Sequence, residues 1–293
     1  MKKENKFFII GSAGLIGSEV CRILKKKIFK YVHSDKNLDI SKKPFFMFLS
    51  KKKPNILINC SSHPGGLSFE DPFRNAEINY LANINIAKWC AENNCKFIFL
   101  SSSAVYGNRK KKIKIKENDI SYPETVYGIN KLATEKFIIE FSKFKNLDWL
   151  IMRLFATYGP GHKLNNYQGI VNVILNQALN KKKTIILKGS KKRTRSLIHV
   201  HDAARIIIKL ALSDHRNKIF NVASKKFYAV GNIIKMVGKI LNTKFKIKEI
   251  KKTHGDPMHN IANIEKLLKF VKFKFKFELN KGLEDTINKY KII

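Results

Sequence analysis

Phe7, Phe8, Ile9 and Ile10 form an uninterrupted apolar run, and the apolar positions after it, Val20, Ile23 and Leu24, recur at helical spacing. That change of period predicts a buried strand over Lys6–Ile10 feeding a helix over Leu15–Lys26. Further apolar runs predict strands near Lys30–His33, Ile56–Asn59, Lys96–Leu100 and Asp148–Arg153. Helical periodicity returns over Ala76–Asn93 and Ile129–Phe144, and over Lys42–Lys51, where Pro44 interrupts it. Continuous apolar strands alternating with helices argue an α/β protein with a doubly wound parallel sheet.

After residue 160 the pattern is less regular. Residues 161–195 and 223–293 are expected to form a smaller, interleaved lobe. Residues 1–160, joined by a strand and helix from about 196–222, form the first domain. Val271–Phe277 alternates phenylalanine with lysine, which predicts a half-buried edge strand guarded by charge. The same alternation would suit a platform on which single-stranded nucleic-acid bases stack.

Composition changes this picture in one respect. The 293 residues carry a formal net charge of +36, with 50 lysines against eight arginines. Such a balance raises the question of a polyanion partner. The lysines run along the whole chain among Ile, Asn and Phe, as tolerant surface positions would, so no nucleic-acid partner is expected. A basic, catalytically idle nucleic-acid-binding protein stays as the alternative. Cys21, Cys60, Cys90 and Cys95 show no Cys-x-x-Cys pairing and no histidines at zinc spacing, so no metal is expected and a reduced, cytoplasmic setting fits. Lys2-Lys3 before Phe7–Gly17 has the outline of a secretory leader, but Glu4 and Glu19 interrupt it. No stretch approaches the ~20 apolar residues of a membrane span, so no membrane partner is expected.

Gly11-Ser12-Ala13-Gly14-Leu15-Ile16-Gly17 lies between the first strand and the first helix. There the first glycine allows a tight turn, the second lets backbone approach a pyrophosphate, and the third lets helix and strand pack closely. The diphosphate then faces the positive end of the helix dipole. Tyr127 and Lys131 stand one helical turn apart on one face, where an ammonium favours the phenolate of a tyrosine base. Upstream, the strand ending at Leu100 runs into Ser101-Ser102-Ser103, which puts hydroxyls at the carboxyl end of a parallel strand.

Taken together with Glu77-Ile78-Asn79, Arg153–Gly161, Thr194–Asp202, Gly255-Asp256 and Gly282–Ile287, these motifs resemble the extended short-chain dehydrogenase/reductase family. Within it, the chain is similar to the NAD-dependent nucleotide-sugar epimerases and dehydratases, over nearly its whole length. The resemblance implies a Rossmann-type NAD-binding domain, a substrate lobe, a homodimer, and a nucleotide-diphosphate sugar as substrate.

The resemblance also implies roles for single residues. Tyr127 is the general base, Lys131 its electrostatic partner and a ligand of the nicotinamide ribose, and Ser102 the hydroxyl on the reacting oxygen, with Ser103 as the fallback. Gly11, Gly14, Leu15, Ile16 and Gly17 hold the diphosphate of NAD. Asp35, about 20 residues past the glycines, takes the adenosine ribose and favours NAD over NADP. Asp39 and Ile40 line the adenine, while Cys60, Ser61, Ser62, Asn79 and Phe155 run beside the nicotinamide half. Arg195 clamps the substrate diphosphate; the second clamp arginine is absent, Lys252-Thr253-His254 standing before Gly255-Asp256. The Asp-Glu that dehydratases carry after the catalytic hydroxyl is replaced by Ser103-Ala104, which points away from elimination. Epimerisation, most readily at C4, or net redox at a sugar carbon remain.

Overall fold

The computed structural model describes residues 5–26, 30–33, 38–161, 164–165, 169–180 and 183–291, the strand at 30–33 by its backbone alone. The chain begins with β1 (Lys6–Ile10), α1 (Leu15–Lys26), β2 (Lys30–His33), α2 (Lys43–Lys52) and β3 (Ile56–Asn59). Then follow α3 (Pro72–Ala76), a π-turn (Glu77–Leu81), α4 (Ala82–Glu92), β4 (Lys96–Ser102), α5 (Val126–Phe144) and β5 (Trp149–Leu154). Next are β6 (Ala156–Tyr158), α6 (Ile170–Leu179), β7 (Thr184–Lys188), β8 (Thr194–His199), α7 (Val200–Ala211) and β9 (Lys218–Val222). The chain finishes with β10 (Phe227–Ala229), α8 (Val230–Ile240), β11 (Lys246–Ile250), β12 (His259–Asn260), α9 (Glu265–Phe270) and α10 (Leu279–Lys291).

Six strands pair in the order β2-β1-β3-β4-β5-β9, all parallel. The period-two geometry of β1 sends Phe7 and Ile9 to one face, against Val20, Ile23 and Leu24 of α1 and Ile206 and Ile207 of α7. Phe8 and Ile10 take the opposite face with Phe45 and Leu49 of α2, Ile86 of α4 and Ile138 of α5. Both faces are covered, so the strands are apolar without interruption. The order reverses between β1 and β3, and a crevice opens outside the carboxyl ends of the strands at that point.

A second sheet joins β10, β8 and β12, with β6 also on β8, and β7 pairs with β11. Its apolar filling comes from α6, α8 and α10, through residues such as Ile174, Ile233 and Leu283. Of the segment expected to return to the first domain, α7 packs on α1 and β9 closes the large sheet. Its opening residues, Ser196–His199, instead belong to β8 of the second sheet.

Three local expectations change. Pro44 starts α2 rather than breaking it, because in the first turn its missing N–H has no partner to lose. The helix expected from Ala76 begins at Pro72, where the Asp71 side chain accepts from Arg74 N. Val271–Phe277 keeps its alternating burial but forms no strand. It lies extended along α7, with Lys276 N and Phe277 N donating to the buried Asp202 carboxylate, and Arg205 and Lys209 donating to the carbonyls of Lys274 and Lys272. A helix stands where a ladder partner would have to be.

Candidate active site

The crevice is a cleft of about 570 Å³. Gly11, Gly14, Leu15 and Ile16 border it at one end. Gly11 has φ +74°, and a Cβ there would sit 2.6 Å from Ser61 N; one on Gly17 would sit 2.1 Å from Gly11 O. Only glycines let the strand end, the helix start and the next loop come this close. The arrangement fits a dinucleotide diphosphate at the α1 N-terminus.

The adjoining wall is built by the loop after β3. Asn59 Oδ1 accepts from Ser61 N at 2.9 Å and Ser61 Oγ at 2.7 Å, while its amide donates to Asn83 Oδ1 at 2.7 Å. This local turn brings Cys60, Ser61 and Ser62 to the cleft. Pro64, Gly65 and Gly66 follow along the same wall. A Cβ on Gly65 would stand 3.1 Å from Tyr127 Cδ1, so bare backbone is what fits comfortably beside that ring.

Asn79 is wholly buried and stays off the cleft surface, unlike its expected place beside the nicotinamide. Its Oδ1 accepts from Ser62 Oγ at 2.8 Å and His63 N at 3.2 Å, and its amide donates to His63 O at 3.0 Å. The π-turn makes this possible. Wider winding releases backbone carbonyls, and Thr134 Oγ1 donates to Asn79 O at 2.7 Å while Asn83 Nδ2 donates to Ile78 O at 2.9 Å. Asn79 therefore grips the loop that carries Ser62.

Tyr127 sits in the first turn of α5, which Thr125 caps by accepting from Gly128 N at 3.0 Å. Burial raises the Tyr127 phenol above its ordinary value, while the hydroxyls of Ser62 and Ser102 pull it back. The expected pull from Lys131 is not among these influences. Its ammonium donates to Leu100 O at 3.0 Å and stands 5.7 Å from the Tyr127 ring centre. Burial pushes Lys131 down to about 7, against the opposing pull of Glu135. Ser102 borders the cleft and accepts from Ala104 N at 3.2 Å; Ser103 turns away and accepts from Asn260 Nδ2 at 2.9 Å. Phe155 completes the floor.

Other expected contacts lie elsewhere. Asp35 falls outside the described residues. Asp39 pairs with Arg74 at 2.9 Å and accepts from Ser41, and these contacts outweigh burial to hold its carboxyl at about 2. Ile40 joins the core around Phe45, since the chain must bury an apolar residue before α2. Arg195 is 6% exposed and is absent from the cleft lining; with Arg193 it is spent on one carboxylate, Asp256, at 2.6 Å from Arg195 Nη2. Gly255 packs so tightly on Thr125 that a Cβ would lie 2.2 Å from its methyl, so this cluster abuts the start of α5.

Sequence reasoning missed Gly65, Gly66, Tyr158, Thr286 and Tyr290, all of which line the cleft. The Pro-Gly-Gly after β3 was a visible turn signal. Thr286 and Tyr290 stand four apart on one face of α10, a spacing shared by every helix.

The profile of the NAD dependent epimerase/dehydratase family matches residues 7–223. The chain is 30% identical to a dTDP-4-dehydro-6-deoxyglucose reductase of Escherichia coli, over 63% of this chain and 57% of that enzyme. It is 24% identical to a UDP-glucose 4-epimerase of Halalkalibacterium halodurans, over 69% of this chain and 65% of the other. Both alignments thus span less than two thirds of the relative. The fold matches that of a Thermus thermophilus UDP-glucose 4-epimerase in complex with NAD with a TM-score of 0.89, at 20% identity, covering 98% of this chain and 99% of that one. The chain belongs to the NAD dependent epimerase/dehydratase family, and NAD is its cofactor.

Proposed function

We propose that the protein is a nucleotide-sugar 4-epimerase. The observation that carries this reading is the convergence of Ser102, Tyr127 and Lys131 on one cleft wall, with no carboxylate among its described lining residues. Elimination of water needs an acid–base pair there; inversion at a carbinol carbon does not.

Tyr127 takes the proton from a sugar hydroxyl, and Ser102 holds the same oxygen by a hydrogen bond. Bound NAD supplies the acceptor and later the donor of a hydride. Lys131 would hold the nicotinamide ribose by a hydrogen bond and supply positive charge on the Tyr127 side of the cleft. The ketone then turns within the cleft, Tyr127 returns its proton, and no cofactor is consumed. Bare backbone at Gly65 and Gly66 supports room for such a turn.

The reductase relative favours a second reading, net redox at a sugar carbon with the same residues. Incubation with UDP-, GDP-, CDP- and dTDP-sugars, followed by NMR and cofactor absorbance together, separates the two. Inverted product without added reductant supports epimerisation. Stoichiometric NADH formation or consumption replaces it with a dehydrogenase or reductase. Asp35 supports NAD over NADP in either case. Glycan synthesis in the cytoplasm is the setting this reading implies. A homodimer through α5 draws support from Ile129 and Phe144, which are 52% and 82% exposed.

A further inference from the structure

Beneath the catalytic trio lies a buried charge that the reaction above does not use. Glu135 stands one turn beyond Lys131 on α5 and is 1% exposed. Its carboxylate accepts from Arg153 Nε at 3.0 and 3.1 Å, from Arg153 Nη2 at 2.6 Å, and from the Ser101 hydroxyl. Arg153, on β5, also donates to Tyr106 Oη and to the Glu117 carbonyl, each at 2.9 Å. Ser101 borders the cleft immediately before Ser102. A buried ion pair is a weak stabilising device, since apolar side chains of similar volume commonly serve as well. Its position next to Lys131 calls for another reason.

Lys131 is itself 1% exposed, and the hydrogen bond described for its ammonium is the one to Leu100 O. The titratable and charged groups around it are Tyr127 and Glu135 on its own helix, Cys60 at the end of β3, and Arg153 of β5 behind Glu135. The β4 strand end adds only neutral groups, the Leu100 carbonyl and the serine hydroxyls. Glu135 is the carboxylate in this set. Without an anion nearby, a lysine so placed sheds its proton readily.

We propose that Glu135 is a positioning residue that keeps Lys131 protonated in the cleft, with Arg153 and Ser101 fixing where its charge sits. This rests on the role given to the Lys131 ammonium above. The Ser101 bond adds a mechanical link, because it joins the tyrosine helix α5 to the strand end that carries Ser102.

Glu135→Gln alone strands the Arg153 charge, so the informative variant is the pair Glu135→Gln with Arg153→Met, which removes both charges. Two pH profiles are read: kcat/KM on a sugar nucleotide the unaltered protein turns over, and NADH affinity by fluorescence, which needs no sugar. Of the two charges lost, Glu135 is the one that acts on Lys131, so the pKa of Lys131 falls and its ammonium disappears at lower pH. The alkaline limb of both profiles is then expected to move acid-ward by about 1 unit. Glu135→Asp keeps the charge and is expected to hold both limbs near their original place. A folded double variant with unmoved limbs overturns the proposal, as does a Glu135→Asp variant whose limbs move like those of the double variant. If no sugar nucleotide reacts, the epimerase reading fails, and the NADH profile still decides the role of Glu135.

Discussion

The Ser62 hydroxyl donates to Asn79 Oδ1 across 2.8 Å, and that bond ties a helix interior to the rim of the cleft. Ser62 in turn influences the Tyr127 phenol, so the π-turn is mechanically connected to the proposed base. Asn79→Ala removes the grip on residues 62 and 63 while substituting no cleft-lining residue. We expect kcat to fall by roughly 100-fold, since small displacements of reacting groups cost that much. Steady-state kinetics with NADH binding measured alongside tests it; unchanged kcat in a folded variant refutes the connection.

Gly65→Ala puts a methyl 3.1 Å from the Tyr127 ring, tighter than most packed carbons. Either the loop or the ring gives way. A drop in kcat of about 10-fold is expected, with KM and NADH affinity within about twofold, because only the reacting hydroxyl is displaced. A change confined to KM shows instead that this wall serves binding.

Tyr127→Phe keeps the ring against Gly65 and deletes the hydroxyl that moves the proton. Turnover is expected to fall by about 1,000-fold, within the usual span of general acid–base catalysis. NAD remains bound, as measured by the nucleotide released on denaturation. Residual turnover near the original rate shows that another group takes the proton.

The glycines, the strand-end serines and the Tyr-x-x-x-Lys pair could be read directly because each is a local pattern within one element or one turn. Arg195 could not, because its fate depends on Asp256, 61 residues away, and on a neighbouring arginine that competes for the same carboxylate. The π-turn escaped for a similar reason: the carbonyl it releases is taken by Thr134, 55 residues distant. In Val271–Phe277 the alternation correctly marked one buried face. It held no information on whether a strand or α7 would stand beside it.

His199 predicts a pH dependence of stability. Its ring is stacked on Phe277 at 4.0 Å between centres and edge-on to Tyr158, and burial holds its pKa down at about 4. Nε2 lies 3.5 Å from Asp285 Oδ2, outside hydrogen-bond geometry. The unfolded chain, with histidine near its ordinary value of about 6.5, binds the extra proton first. Stability is therefore full above about pH 6.5, declines as pH falls, and has lost about 3 kcal/mol once pH passes below about 4. Urea unfolding across that window, compared with His199→Phe, checks it; equal slopes in the two proteins refute the assignment.

Thr286 and Tyr290 of α10 stand in the same cleft as Gly11 and Gly14, far from them along the sequence. During synthesis the glycine turn emerges early, yet its cleft lacks one wall until α10 has left the ribosome. The cleft is thus a product of completed folding, not of its first steps.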